Sequence, residues 1–145
     1  DICPTHVHPP LNAYDKHDWY PPYNLPGSVL HWVQNNHTDA EYVIKLDGDM
    51  ILRKPITAEQ FRVSEGRPRG GFYGYLSGVD NGMAKMYLSD DKIPFLAKVG
   101  GWELMHINDV RKIAPKWFEY TAKVRQGPPE AWPLSGDAYI TKQNP

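Results

Sequence analysis

The sequence has a single cysteine, no long apolar run and almost no net charge. Cys3 is the only cysteine, so an internal disulfide is excluded. No stretch approaches the roughly 18 consecutive apolar residues of a membrane-spanning helix, so no membrane segment is expected in this fragment. The formal net charge of -1 argues against an extended surface for polyanions, so nucleic acid is not expected as a partner.

What is present is typical of one folded domain. The chain has 145 residues, 41% of them hydrophobic, which is enough for a real core. Residues 1–26 differ from the rest because they are rich in Pro, His and Tyr, and they predict an extended arm. The arm carries His6, His8 and His17, but no further ligands are fixed beside them, so a structural role is favoured over metal binding.

After the arm, helix and strand patterns alternate. A helix is expected from Pro26, and another after Asn108, interrupted or restarted at Pro115 and stopped at Gly127. Thr57 and Gln60 have the spacing of a capping box for a brief helix. Strands are expected at Tyr42–Leu46, Gly71–Leu76 and Gly100–Ile107. This alternation predicts an α/β fold in which helices flank a mostly parallel sheet.

The most informative motif is Asp47-Gly48-Asp49, at the end of the first expected strand. In extended backbone, residues two apart face the same way, so the two carboxylates would share a side and repel each other. A divalent cation would neutralise them, and oxygen ligands favour Mg²⁺ or Mn²⁺. Ligands of open α/β sheets sit beyond the carboxyl ends of the strands, and Gly48 would let a bulky ligand come close.

Four interpretations of this motif compete: a metal site for the diphosphate of a nucleotide-sugar, a haloacid-dehalogenase-like phosphatase, a calcium loop, and a carboxylate pair that only caps a turn. In the phosphatase, Asp47 would be the nucleophile and Asp49 a general acid, but Met50 stands where Thr or Val is usual. The calcium loop is excluded because the twelfth residue from Asp47 is Ala58 rather than Glu. The other three interpretations stay open on the motif alone.

Several blocks carry a family resemblance: "DWYPPYNLPGSVLHWVQ", "KLDGDMILRKPI", "GRPRGGFYGYLSGVDN", "KVGGWELMHINDVRKIAPKW" and "LSGDAY". In this order they resemble the peptidyl serine α-galactosyltransferases of plants and green algae, relatives of the hydroxyproline O-arabinosyltransferases. The resemblance implies a GT-A-like, Rossmann-like catalytic domain. It also implies that residues 1–145 are a single, incomplete part of that domain, an internal fragment that could be inactive alone.

The resemblance further implies a reaction and a location. Galactose would pass with retention from UDP-galactose to serine of hydroxyproline-rich proteins, with Mn²⁺ or Mg²⁺ as cofactor. The full-length protein would be membrane-anchored in the Golgi or endoplasmic reticulum. The alternatives are arabinose transfer to hydroxyproline, the phosphatase described above, and an inactive domain that binds glycan or peptide.

Site residues are carried over by position. By resemblance, Asp47 and Asp49 are metal ligands that bridge to the diphosphate, and Asp137 is the carboxylate near the anomeric carbon. Gly100 and Gly101 would bring the backbone close to the donor sugar, and Asp80 and Asn81 could hydrogen-bond its hydroxyls. For the glycines, close helix–strand packing is an equal alternative. Asp137 could instead be an ordinary loop aspartate, and Asp80 could cap a helix.

Two features depart from the family. Gly48 replaces the usual alanine between the aspartates, which costs little because that side chain supplies no ligand. Trp102 and Glu103 stand where smaller or apolar residues are common, so a change in the sugar or acceptor pocket is expected there.

Overall fold

The computed structural model describes residues 4–76 and 78–134, apart from the side chain of Trp132. Three α-helices and three strands form the framework: α1 (Asn24–Asn35), β1 (Tyr42–Leu46), α2 (Ala58–Phe61), β2 (Arg69–Phe72), β3 (Val99–His106) and α3 (Ile107–Arg125). Short 3-10 helices lie at Pro21–Tyr23, Met83–Met86, Ile93–Phe95 and Pro129–Leu134. In the described part of the chain, no helix is long and apolar enough to cross a bilayer.

The sheet has the order β1-β3-β2, and both pairings are antiparallel. The prediction of a mostly parallel, Rossmann-like sheet is therefore wrong for the described residues. The prediction took each helix between two strands to be a crossover that joins parallel strands. Such a crossover, however, takes a dozen or more residues and is usually a full helix. Here α2 has 4 residues, and the described residues between β2 and β3 form two short 3-10 helices. The long strand β3 instead inserts between the other two.

Local signals fixed several element boundaries. The strand at Tyr42–Leu46 is confirmed, and Thr57 caps α2 by accepting a hydrogen bond from the Gln60 amide at 3.2 Å. The helix predicted after Asn108 begins two residues earlier, with His106 Nδ1 accepting from the Asn108 amide at 3.2 Å. The expected interruption at Pro115 is wrong, since α3 continues through it with Pro115 on its exposed side.

The core lies where α3 packs against α1 and the sheet. Tyr23 is fully buried, and Val110 and Ala114 of α3 are almost as inaccessible. The Tyr23 ring makes an edge contact with Tyr20 and lies 6.1 Å from the ring of Phe118. Residues 4–20 form turns and irregular backbone, and the division into an arm at 1–26 and one partial domain over 1–145 stays a prediction.

Candidate functional site

β1 and β2 both finish at the end of the sheet where β3 begins. The aspartate motif lies at this end. The Asp47 amide donates to the Gly101 carbonyl at 2.8 Å, and the Met50 amide donates back to the Asp47 carbonyl at 3.1 Å. Asp47 to Met50 is thus a tight turn, which we call the aspartate turn. The argument from extended backbone does not apply to it, because the strand ends at Leu46.

The aspartate turn is open to solvent. The side chain of Asp47 is 42% exposed, and both Gly48 and Asp49 are exposed. A methyl group added at Gly48 would meet no atom within 4 Å. The turn therefore presents two carboxylates in a place that a large ligand can reach, and whether they share one cation stays a prediction.

Lys45 forms an ion pair with Asp47, one of these two carboxylates. The Lys45 side chain is 10% exposed, and its ammonium lies 2.6 Å from Asp47 Oδ1 and 3.2 Å from Oε2 of Glu103, the residue opposite it on β3. Burial lowers the pKa of Lys45, but the hydrogen bond to Asp47 and the charge of Glu103 outweigh it, so this pKa is raised. The ammonium stays charged and partly offsets the two carboxylates.

Sequence reasoning missed the link between Lys45 and Glu103. A lysine two residues before Asp47 in an otherwise apolar strand was a visible signal, since a charged side chain in a half-buried strand needs a partner. Its second partner depends on the register between β1 and β3, which the sequence pattern does not reveal.

Gly101 lies where the aspartate turn meets the loop that contains Tyr73. Its backbone has φ +72°, and a Cβ there would clash with the Tyr73 hydroxyl and lie 3.1 Å from Met50 Cε. A Cβ at Gly100 would meet Leu76 Cδ1 at 3.6 Å, an ordinary contact. Close packing thus accounts for the glycine at Gly101, and a contact of either glycine with a donor sugar stays a prediction.

Asp80 is tied to the same side of the sheet through Lys98. The Lys98 ammonium lies 2.7 Å from Asp80 Oδ2 and also donates to the Gly74 carbonyl at 3.2 Å. The hydrogen bond from Lys98 lowers the pKa of Asp80, so this carboxylate stays ionised. The Lys98 carbonyl in turn accepts from the Tyr73 amide at 2.9 Å, which places Asp80 near the loop that covers Gly101.

Asn81 and Asp137 are the remaining site residues predicted from the sequence. Asn81 Oδ1 accepts from the Met83 amide at 3.2 Å, and its Nδ2 donates to the Leu134 carbonyl, so the side chain organises local backbone. Asp137 lies outside the described residues.

Across residues 4–76 and 78–134, no three His, Cys, Asp or Glu side chains are arranged to hold a metal ion. Two of the arm histidines, His6 and His8, contact α1 instead. His6 Nε2 lies 2.9 Å from His31 Nδ1, and His8 Nε2 is hydrogen-bonded to Ser28 Oγ. A cation at the aspartate turn would therefore draw its protein ligands from Asp47 and Asp49 alone among the described side chains.

Residues 1–132 match the hydroxyproline O-arabinosyltransferase family N-terminal domain. The chain belongs to this family. It is 42% identical over 141 residues to a peptidyl serine α-galactosyltransferase of Arabidopsis thaliana, covering 96% of this chain and 17% of that protein. It is 33% identical over 132 residues to a protein of the same name from Chlamydomonas reinhardtii, covering 84% of this chain and 18% of the relative. No solved structure matches.

These findings confirm the resemblance drawn from the sequence blocks. The chain spans less than a fifth of the length of either relative. Family membership favours a glycosyltransferase over the phosphatase interpretation of the aspartate motif.

Proposed function

We propose that this chain provides the donor-binding region of a transferase that moves galactose from UDP-galactose to serine of hydroxyproline-rich proteins, with retention at the anomeric carbon. Both relatives are named peptidyl serine α-galactosyltransferase, which supports the sugar and the acceptor residue. The observation that carries the proposal is the exposed aspartate turn at the shared carboxyl end of β1 and β2.

The residues of the turn fit a divalent cation. Their donor set is carboxylate oxygen only, which suits Mn²⁺ or Mg²⁺. Mg²⁺ is commonly held by one or two carboxylates together with substrate phosphates, so two protein ligands are sufficient. Asp47 and Asp49 would hold the ion, which when bound supplies Lewis-acid stabilisation of the departing UDP.

The chain's own contribution is to fix the turn before the donor arrives. Asp47 is restrained through its amide by the Gly101 carbonyl at 2.8 Å and through Oδ1 by Lys45 at 2.6 Å. A group that is already ordered loses less conformational freedom on binding, which favours affinity. The space around residue 48 is open, since an added Cβ would meet no atom within 4 Å, so a diphosphate can approach the turn there.

Further roles in the proposal come from position in the family. Asp137 would be the carboxylate near the anomeric carbon, and the donor-sugar contacts would come from four residues: Gly100, Gly101, Asp80 and Asn81. The proposed location is the secretory pathway, in the Golgi or endoplasmic reticulum.

One second candidate has a specific observation in its favour. The family domain that matches residues 1–132 is named for arabinose transfer to hydroxyproline. The donor test should therefore compare UDP-galactose with a nucleotide-linked arabinose, and the preferred sugar decides between the two reactions.

Isothermal calorimetry of the chain with Mn²⁺ and UDP-galactose tests the proposal. We expect metal-dependent binding by the parent, and a loss of at least about 10-fold in Asp47→Asn and in Asp49→Asn because each removes one anionic ligand. Asp91→Asn is the matched control, since this aspartate is exposed and lies outside the turn. It should bind like the parent.

Other outcomes would count against the proposal. Equal losses in all three variants would show a general charge effect. No binding by the parent would favour an inactive glycan- or peptide-binding domain, and hydrolysis of a phosphomonoester dependent on Asp47 would favour the phosphatase.

A further inference from the structure

A second feature lies beside the aspartate turn: an open cavity of about 690 Å³ between α3, β3 and the segment before β3. This volume falls within the range of roughly 300–1,000 Å³ that is usual for ligand pockets. Its walls are mainly apolar, formed by Phe95, Leu96, Val99, Met105, Ile113 and Trp117.

The apolar rim of the cavity is accessible. Phe95 is 84% exposed, Val99 46% and Ile113 38%. Aliphatic and aromatic side chains left in water around a concave site are typical of a surface that binds a partner or ligand.

The floor of the cavity contains a carboxylate, that of Glu103. Gly70 lies opposite Glu103 on β2, and a Cβ there would come within 3.5 Å of Glu103 Cγ. The Glu103 side chain is 22% exposed, but its Oε2 is buried beside Lys45. We therefore expect the N–H or O–H groups of an incoming ligand to donate to Oε1.

The Lys45 cation links this floor to the aspartate turn. The Lys45 ammonium lies 3.2 Å from Glu103 Oε2 and 2.6 Å from Asp47 Oδ1, and 6.0 Å from the centre of the Trp117 ring. Cavity and turn are thus neighbours on the same face of the sheet.

The chemistry of the cavity fits a peptide better than a nucleotide. A diphosphate needs cations or clustered amides, whereas the floor here is a carboxylate. The cationic side chain at the wall, Arg69, already donates to the carbonyls of Phe61 and Pro68. Apolar walls with a tryptophan suit proline rings and aliphatic side chains, as in other sites that take proline-rich segments. Both relatives are named for a peptidyl serine.

We propose that this cavity is the acceptor subsite, which binds an extended proline-containing segment next to the serine that receives the sugar. The inference rests on the proposed function, because the donor at the aspartate turn gives the position its purpose. Apolar side chains of the acceptor would occupy the walls, and its backbone or hydroxyl donors would face Glu103.

Fluorescence anisotropy with a labelled proline-rich peptide carrying one serine tests this proposal. We expect the parent to bind, and Phe95→Ala and Ile113→Ala each to weaken binding by at least about 5-fold, as for truncation of an anchoring contact. Ile51→Ala is the matched control, because Ile51 is 89% exposed and lies outside the cavity wall. All three variants should keep the parent's affinity for Mn²⁺ and UDP-galactose.

The outcomes separate this inference from the proposed function. If UDP-galactose binds through Asp47 but the peptide does not bind, or binds Phe95→Ala as tightly as the parent, the acceptor subsite is wrong and the donor site stands. If the peptide binds through the cavity and UDP-galactose does not bind, the proposed function fails instead. If the variants change only the oligomeric state in sedimentation, a second copy covers the cavity and the inference is overturned.

Discussion

The carboxylate of Asp18 and the guanidinium of Arg125 form a buried ion pair between residues 107 positions apart. Nε donates to Oδ2 at 2.7 Å and a terminal nitrogen donates to Oδ1 at 2.8 Å. The guanidinium also lies 4.3 Å from the centre of the Tyr20 ring. This contact fastens the irregular N-terminal segment to the last turn of α3, so the segment is part of the folded unit.

Arg125→Ala should destabilise the chain by about 3–5 kcal/mol, since it leaves Asp18 buried without its cation. Urea unfolding at pH 7 measures the change. Lys123→Ala is the control, because its pair with Glu119 is exposed and spans one helical turn. It should cost no more than about 0.5 kcal/mol. Equal effects of the two substitutions would contradict a stabilising role for the buried pair.

The hydroxyl of Tyr23 makes the stability of the fold depend on pH in the alkaline range. Burial raises the pKa of Tyr23 to about 12, with the Asp18 charge adding to the effect. The folded state therefore holds this proton more tightly than the unfolded state, whose pKa is near 10. The contribution of this bound proton to the free energy of unfolding is complete below pH 10 and is lost as the pH rises toward 12.

Tyr23→Phe removes this dependence. No hydrogen-bond partner of the buried hydroxyl is found among the described residues, so the variant should be as stable as the parent at pH 7. Between pH 9 and 12 the parent should lose on the order of 2 kcal/mol more than Tyr23→Phe. Unfolding curves across this range provide the measurement, and identical pH profiles would refute the assignment.

Lys45 stabilises the two carboxylates beside it, so Lys45→Met should leave Asp47 and Glu103 close together without their shared cation. We expect a loss of about 2–4 kcal/mol at pH 7.

Adding Glu103→Gln to Lys45→Met should restore part of the stability, because one of the opposed charges is gone. Guanidinium unfolding of the parent, both single variants and the double variant measures the coupling. Strictly additive effects would mean that the 3.2 Å contact contributes nothing.

Local chemistry in the sequence predicted local structure well. The apolar run at Tyr42–Leu46 gave the bounds of β1, and Thr57 identified the start of α2. The third strand was placed within one residue at each end, but β2 was expected at Gly71–Leu76 and lies at Arg69–Phe72. Beyond Phe72 the apolar pattern continues, yet the chain turns at Tyr73, where the Leu76 amide donates to the Tyr73 carbonyl at 3.1 Å.

Contacts between distant segments were out of reach of sequence patterns. The aspartate motif marked the site, but the turn geometry depends on the Gly101 carbonyl, which lies 54 positions beyond Asp47 in the numbering. The pairing of Lys45 with Glu103 and of Asp18 with Arg125 likewise needs the register of β3 and the position of α3. Strand order itself is such a non-local property, which is why the parallel sheet was predicted wrongly.

Gly101 and Gly48 offer a test of how the aspartate turn is held. Gly101→Ala should cost about 2 kcal/mol or more, because its φ of +72° is unfavourable for alanine and the added methyl would clash with Tyr73. Gly48→Ala should change stability by less than about 0.5 kcal/mol, since nothing lies within 4 Å of its Cβ.

The Gly101→Ala and Gly48→Ala variants also test whether Gly101 positions Asp47 for binding or only stabilises the fold. If the Gly101 carbonyl fixes Asp47 for metal binding, Gly101→Ala should weaken Mn²⁺-dependent UDP-galactose binding under conditions where the variant is still folded by circular dichroism. Gly48→Ala should bind like the parent. Unchanged affinity in a folded Gly101→Ala variant would count against a positioning role for the backbone at residue 101.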